Sequence, residues 1–107
     1  MDLFVALEEK QAELDEAIKE LRKAGENWAN ADRTYRMLKA KAKFRLKSEG
    51  VAVGMLEDGV FNDEDVANAL HDRDLTDVLV TACKEQINSI KIQIAIIREQ
   101  IAREYGR

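Results

Sequence analysis

The chain has 107 residues, no proline, 36% charged and 46% apolar residues, which leaves room for one domain, excludes a disordered tract and points to a helix-rich protein. Its lone cysteine, Cys83, excludes an intramolecular disulfide and a cysteine-ligated zinc site; set among Leu79, Val80 and Ile87, it reads as a buried structural thiol. The net charge of −4 conceals blocks of opposite sign: acidic from Asp2 to Glu20, basic without a single acid from Arg33 to Lys47, and acidic again from Glu57 to Asp77, where Arg73 is the only arginine or lysine.

Met1 to Leu7 has neither a basic start nor a long apolar run, and nowhere do eighteen apolar residues stand together. A cytoplasmic protein with no membrane partner is expected. Leu7, Leu14, Leu21, Trp28, Tyr35 and Ala42 then recur every seven residues, flanked by Phe4, Ala17, Ile18, Ala31 and Leu38, an apolar stripe along one helix spanning residues 2–48. Trp28 reads as a core anchor in that line. The stripe narrows at Ala24, Gly25 and Ala31, which invites a close neighbour or a bend at Gly25.

Ser48-Glu49-Gly50 ends this helix, with Gly50 suited to the left-handed position after the last turn. Residues 49–61 form a corner that contains the Asp58-Gly59 turn signal yet is too apolar to lie in water. A short helical turn around Met55 to Asp58 would fold it over the end of the bundle. Asn62 is a good N-cap, Asp63, Glu64 and Asp65 suit the positive end of a helix dipole, and Phe61 and Val66 have the spacing of a hydrophobic staple. The second long helix is therefore placed at 62–105.

Seven isoleucines fall between Ile87 and Ile101. Their partial period of two suggests a strand, but no second strand-like run exists to pair with it and the flanks are helical in composition. Wound at 100° per residue, Leu79, Val80, Cys83, Ile87, Ile90, Ile94, Ile97 and Ile101 share one face, while Val78, Ile92 and Ile96 take the opposite one. The fold expected is all-α: an antiparallel, coiled-coil-like hairpin of two long helices with an apolar corner, a single domain over 1–107. The second apolar face adds a homo-oligomer, a dimer forming a four-helix bundle with Val78, Ile92 and Ile96 at its interface.

No nucleotide loop, metal-ligand spacing or nucleophile–base pair stands in the sequence, so no enzyme, no cofactor and no small-molecule substrate are expected. His71 reads as a surface or packed histidine. The foremost functional candidates are Arg36, Lys39, Lys43 and Lys47, neighbours on the first helix, along which a phosphate backbone could lie with Tyr35 or Phe44 as an aromatic plane. The plain structural alternative is that these bases neutralise the acids of Asp63 to Asp77 across the hairpin. A second candidate surface is acidic: Asp63, Asp65, Asp72 and Asp74.

Tyr35-Arg36-Met37-Leu38-Lys39-Ala40-Lys41-Ala42, Leu46-Lys47-Ser48-Glu49-Gly50, Val66-Ala67 and Arg73-Asp74-Leu75 resemble a group of small helical proteins of bacteriophages and prophages of Gram-positive bacteria. Their genes often lie near recombination or single-strand-binding genes. The resemblance covers about the middle half of the chain, which has Val51-Ala52-Val53 where that group often has a proline. It implies a setting, phage DNA metabolism or counter-defence, and no catalytic residues. Three functions follow as expectations: a non-enzymatic oligomeric phage protein that binds a macromolecule, as an accessory to DNA recombination or replication; an acidic, DNA-mimic-like inhibitor of a host protein; or a purely structural coiled-coil component.

Overall fold

A computed structural model describes residues 2–106. Helix α1 runs Leu3–Ser48, a 3-10 turn spans Val53–Met55, α2 is Leu56–Phe61 and α3 is Glu64–Tyr105; no strand occurs among the described residues. The fold is all-α, a helical hairpin of two long helices, as the apolar stripes predict. No helix among the described residues is long and apolar enough to cross a membrane.

Each helix end is held by a local device. The Asp2 carboxylate accepts the amides of Phe4 at 2.9 Å and Val5 at 3.4 Å, which satisfies donors that have no partner within the first turn of α1. At the other end Gly50 adopts φ +84°, the Val51 amide donates to the Leu46 carbonyl at 3.0 Å, and the Gly50 amide donates to Lys47 at 3.1 Å. This is the paired closure of a Schellman motif, and Gly50 takes the left-handed backbone without a Cβ penalty. α1 continues unbroken through Gly25, where an added Cβ would meet nothing within 4 Å. That glycine therefore serves neither a break nor a close approach.

The chain packs as two compact units, Met1–Ala24 with Leu79–Arg107 and Gly25–Val78. In the first, Ala17 is buried with Ile87, Ile90 and Ile94, and Leu7, Leu14 and Leu21 pack against them. Phe4 meets Tyr105 with ring centroids 5.5 Å apart, so the start of α1 lies beside the end of α3 and the two helices run antiparallel. Burial of each of the three isoleucines contributes about 1.5–3 kcal/mol. Leu79, expected on the inward face, is exposed: it lies at that face's margin, and Val80 takes the inward position. Cys83 is half-buried where full burial was expected.

In the second unit Tyr35 and Ala42 of α1, Val60 of α2, and Val66 and Ala69 of α3 form the core, with Leu38, Leu46 and Leu70 around them. The short α2 comes down on α1 at Gly59, whose added Cβ would stand 2.8 Å from Leu46 Cδ1. Asp58-Gly59 is thus not a turn: the pair lies inside a helix, and the missing side chain makes room for Leu46. Trp28 is not the core anchor its place in the heptad line suggests: it is exposed and joins neither core cluster.

The start of α3 differs from expectation by one residue. Asp63, not Asn62, is the cap: its Oδ1 accepts the Val66 amide at 3.1 Å, and the Ala67 amide donates to its carbonyl at 2.9 Å. Asn62 instead closes α2, its amide donating to the Asp58 carbonyl at 3.0 Å. Val66 then falls at the third position of α3, fully buried in the core, whereas Phe61 is exposed, so the two do not form the expected staple.

Candidate functional site

The basic segment lies on α1 in the second unit, and the structure sorts its members. Arg36 is tied within its own helix, its Nε 2.9 Å from Asp32 Oδ2. Arg45 reaches α3, its Nη2 2.9 Å from Asp63 Oδ2, and also stands 3.9 Å from Glu49. Lys39, Lys43 and Lys47 are different. Among the described residues none of them has a carboxylate within 4.0 Å, and together they line one side of a groove of about 340 Å³ whose other wall is Val53, Leu56, Glu57 and Val60. On that wall Leu56 and Val60 are buried, Val53 is exposed, and Glu57 is the groove's single carboxylate.

Neutralisation across the hairpin is real but involves other residues. Asp63 is held by Arg45, and Asp32 by Arg73 at 3.5 Å. Arg73 also meets Asp74 at 3.3 Å and lies over the Tyr35 ring, its guanidinium carbon 4.7 Å from the centroid. α1 and α3 are thereby joined through two arginines, Arg45 from the basic block and Arg73 from the acidic one, which suit planar partners better than lysine does. No lysine of the row shares a carboxylate of this network among the described residues; Lys39 touches it only through the Tyr35 ring, 5.7 Å from its centroid.

The aromatic planes expected beside the bases are rearranged. Tyr35 is 7% exposed and faces Arg73, so it is core. Phe44 is exposed, and like Phe61 it is not part of the groove lining, but among the described residues no lysine or arginine lies over its ring. The aromatic that does stand beside the row is Phe61, 45% exposed, with the Lys39 ammonium 5.6 Å from its ring centroid and 5.7 Å from that of Tyr35. Sequence reasoning assigned Phe61 to a helix cap; the signal that could have found it was the unusual apolar content of residues 51–61.

The acidic candidates divide. Asp63 and Asp74 are engaged by arginines as above, and Asp63 is further committed as a helix cap. The Val66 amide, and then the Arg45 guanidinium, hold its carboxyl below the usual aspartate value, with partial desolvation opposing them. Asp65 and Asp72 share a second groove of about 540 Å³ with Asn30, Thr34 and Asn68, and neither has a lysine or arginine within 4.0 Å among the described residues. His71 is exposed, 3.7 Å from Asp72, and among the described residues no group of three or more His, Cys, Asp or Glu is placed to hold a metal ion.

On α3, Val78 is 63% exposed in the second unit, and Ile92 and Ile96 are 61% and 51% exposed in the first, one helical turn apart and turned away from Ile87, Ile90 and Ile94. No protein-family model matches the chain, and neither a curated protein nor a solved structure shows a significant match to it.

Proposed function

We propose that the protein is a non-enzymatic, oligomeric helical protein of phage or prophage origin that binds nucleic acid through Lys39, Lys43 and Lys47, as an accessory to phage DNA recombination or replication. The observation that carries this reading is that the three lysines stand in one row along a groove, none with a carboxylate within 4.0 Å of its ammonium among the described residues, while Arg36 and Arg45 on either side are paired. Successive members are four residues apart, about 6 Å along the helix, so the row offers three positive charges over about 12 Å to a phosphate backbone. Within the groove itself the three lysines face a single carboxylate, Glu57, so the local balance there is positive although the chain is acidic.

The setting in phage DNA metabolism is supported by the resemblance carried by residues 35–42, 46–50, 66–67 and 73–75. The oligomer is supported by Ile92 and Ile96: two isoleucines left 61% and 51% exposed one turn apart gain about 1 kcal/mol each when covered, and a second copy is the simplest cover. Titration of fluorescent single- and double-stranded DNA at two salt concentrations tests the binding. Salt-dependent binding that is lost on charge reversal at Lys39, Lys43 and Lys47 supports it; no binding at low salt refutes it.

A second reading has its own observation. Asp65 and Asp72 share a groove without a neutralising lysine or arginine, as an inhibitor that meets a basic host protein would require. It predicts no DNA binding at all and loss of host-protein capture on Asp65→Asn with Asp72→Asn.

A further inference from the structure

We infer that the nucleic acid is taken as a single strand, with a base stacked on Phe61 while the phosphates follow the lysine row. This rests on the nucleic-acid reading above and goes beyond it by assigning the strand form and a residue that reads bases. Three observations in the second unit lead to it.

The first is the ring itself. Phe61 ends α2, its side chain is 45% exposed, and it contributes nothing to the core cluster that Val60 and Val66 make on either side of it in sequence. An exposed phenyl ring is costly in water and is stabilised by any flat apolar partner. The second is its neighbour. The Lys39 ammonium stands 5.6 Å from the Phe61 centroid and heads the row that continues with Lys43 and Lys47 along the groove. A base on the ring would thus have its phosphate within reach of a lysine that no carboxylate holds.

The third is shape. The groove is about 340 Å³, lined on one side by the lysines of a single helix and on the other by Val53, Leu56, Glu57 and Val60. A duplex keeps its bases stacked inside and offers no free face to a phenyl ring, and the groove is too small to admit one. An unpaired strand has both a flexible charged backbone and exposed base faces, and the pairing of a positive track with an aromatic platform is what sequence-tolerant single-strand binding uses. Tyr35 cannot serve, being buried beneath Arg73, and Phe44 is exposed but has no lysine of the row over its ring among the described residues, so Phe61 is the exposed aromatic that a lysine of the row meets.

The test is fluorescence anisotropy with the full chain, a labelled oligothymidylate and a labelled duplex of equal length. Phe61→Leu keeps an apolar side chain but removes the π face; it should weaken single-strand binding by about 5- to 150-fold, the worth of one stacked base. The salt dependence and the duplex affinity should stay within about twofold, because the lysines are untouched. Phe61→Trp should bind the single strand at least as tightly as the parent, and its new indole should be quenched on binding beyond any change in Trp28 of the parent chain. Unchanged single-strand affinity in Phe61→Leu, or no added quenching in Phe61→Trp, overturns the stacking assignment while charge reversal of the lysines still reports on the binding reading separately. Equal affinity for duplex and single strand overturns the strand preference. If neither DNA binds at low salt, the binding reading itself falls and takes this inference with it.

Discussion

Arg45 donates from Nη2 to Asp63 Oδ2 at 2.9 Å, and the other oxygen of the same carboxylate accepts the Val66 amide at 3.1 Å. One side chain thus caps α3 and ties it to the last turn of α1. Asp63→Ala should lower the thermal midpoint more than Asp63→Asn, because asparagine keeps an oxygen for the cap and loses the ion pair alone.

The same carboxyl titrates below the ordinary aspartate value, first because of the Val66 amide and then because of Arg45. A carboxyl with a lowered folded-state value contributes stability that is fully present above the unfolded value and lost as pH falls through the folded one. The gap in thermal midpoint between the parent and Asp63→Asn should therefore be constant near neutrality and shrink as pH is taken below about 4. Melting curves followed by circular dichroism across that range check the sign; a gap that widens in acid contradicts it.

The glycines make opposite predictions. Gly50 sits at φ +84°, so Gly50→Ala should cost about 1 kcal/mol through left-handed strain. Gly25 lies inside α1 with nothing within 4 Å of an added Cβ, so Gly25→Ala should stabilise by about 0.5–1 kcal/mol. Urea unfolding of the two variants beside the parent reads both.

The isoleucines of α3 divide in the same way. Ile90→Ala or Ile94→Ala should cost about 2–5 kcal/mol, since each is buried against α1. Ile92→Ala and Ile96→Ala should change the stability of a monomer by no more than about 0.5 kcal/mol. In the proposed dimer they instead lower stability in a way that depends on protein concentration. Light scattering at micromolar concentration, before and after Ile92→Glu with Ile96→Glu, decides between the two; a monomer throughout sinks the oligomer.

Glu57 is the one carboxylate lining the lysine groove. Glu57→Gln should tighten DNA binding by about two- to threefold at low salt, the size of one screened charge at several ångströms. Weaker binding would place the phosphates elsewhere.

Much of the fold was legible because periodicity reports faces. The seven-residue line found Tyr35 and Ala42, and the angular division of the isoleucines separated buried Ile87, Ile90 and Ile94 from exposed Ile92 and Ile96. Gly50 announced the end of α1 by the one backbone conformation that favours glycine. What was not legible depends on contacts between elements. Asn62 and Asp63 cap equally well in isolation; Asp63 prevails where α2 runs on to Asn62 and Arg45 stands ready from α1.

Gly59 looked like a turn because no sequence signal reveals Leu46 above it. The candidate site was half visible. The block of bases was plain, but nothing in the sequence says that Asp32 and Asp63 take Arg36 and Arg45 and leave the lysines unpaired, or that Phe61 lies beside Lys39 while Tyr35 lies under Arg73.

The most direct test of the central claim is the affinity of the full chain for a labelled single-stranded oligonucleotide at 50 and 200 mM salt, with and without Lys39→Glu, Lys43→Glu and Lys47→Glu together. Three phosphates neutralised on a single strand predict a logarithmic slope near about −2, so the parent should bind about 20-fold more weakly at the higher salt, and the triple variant should not bind at either. Parent and triple variant binding alike, or no binding by the parent at the lower salt, would contradict the claim.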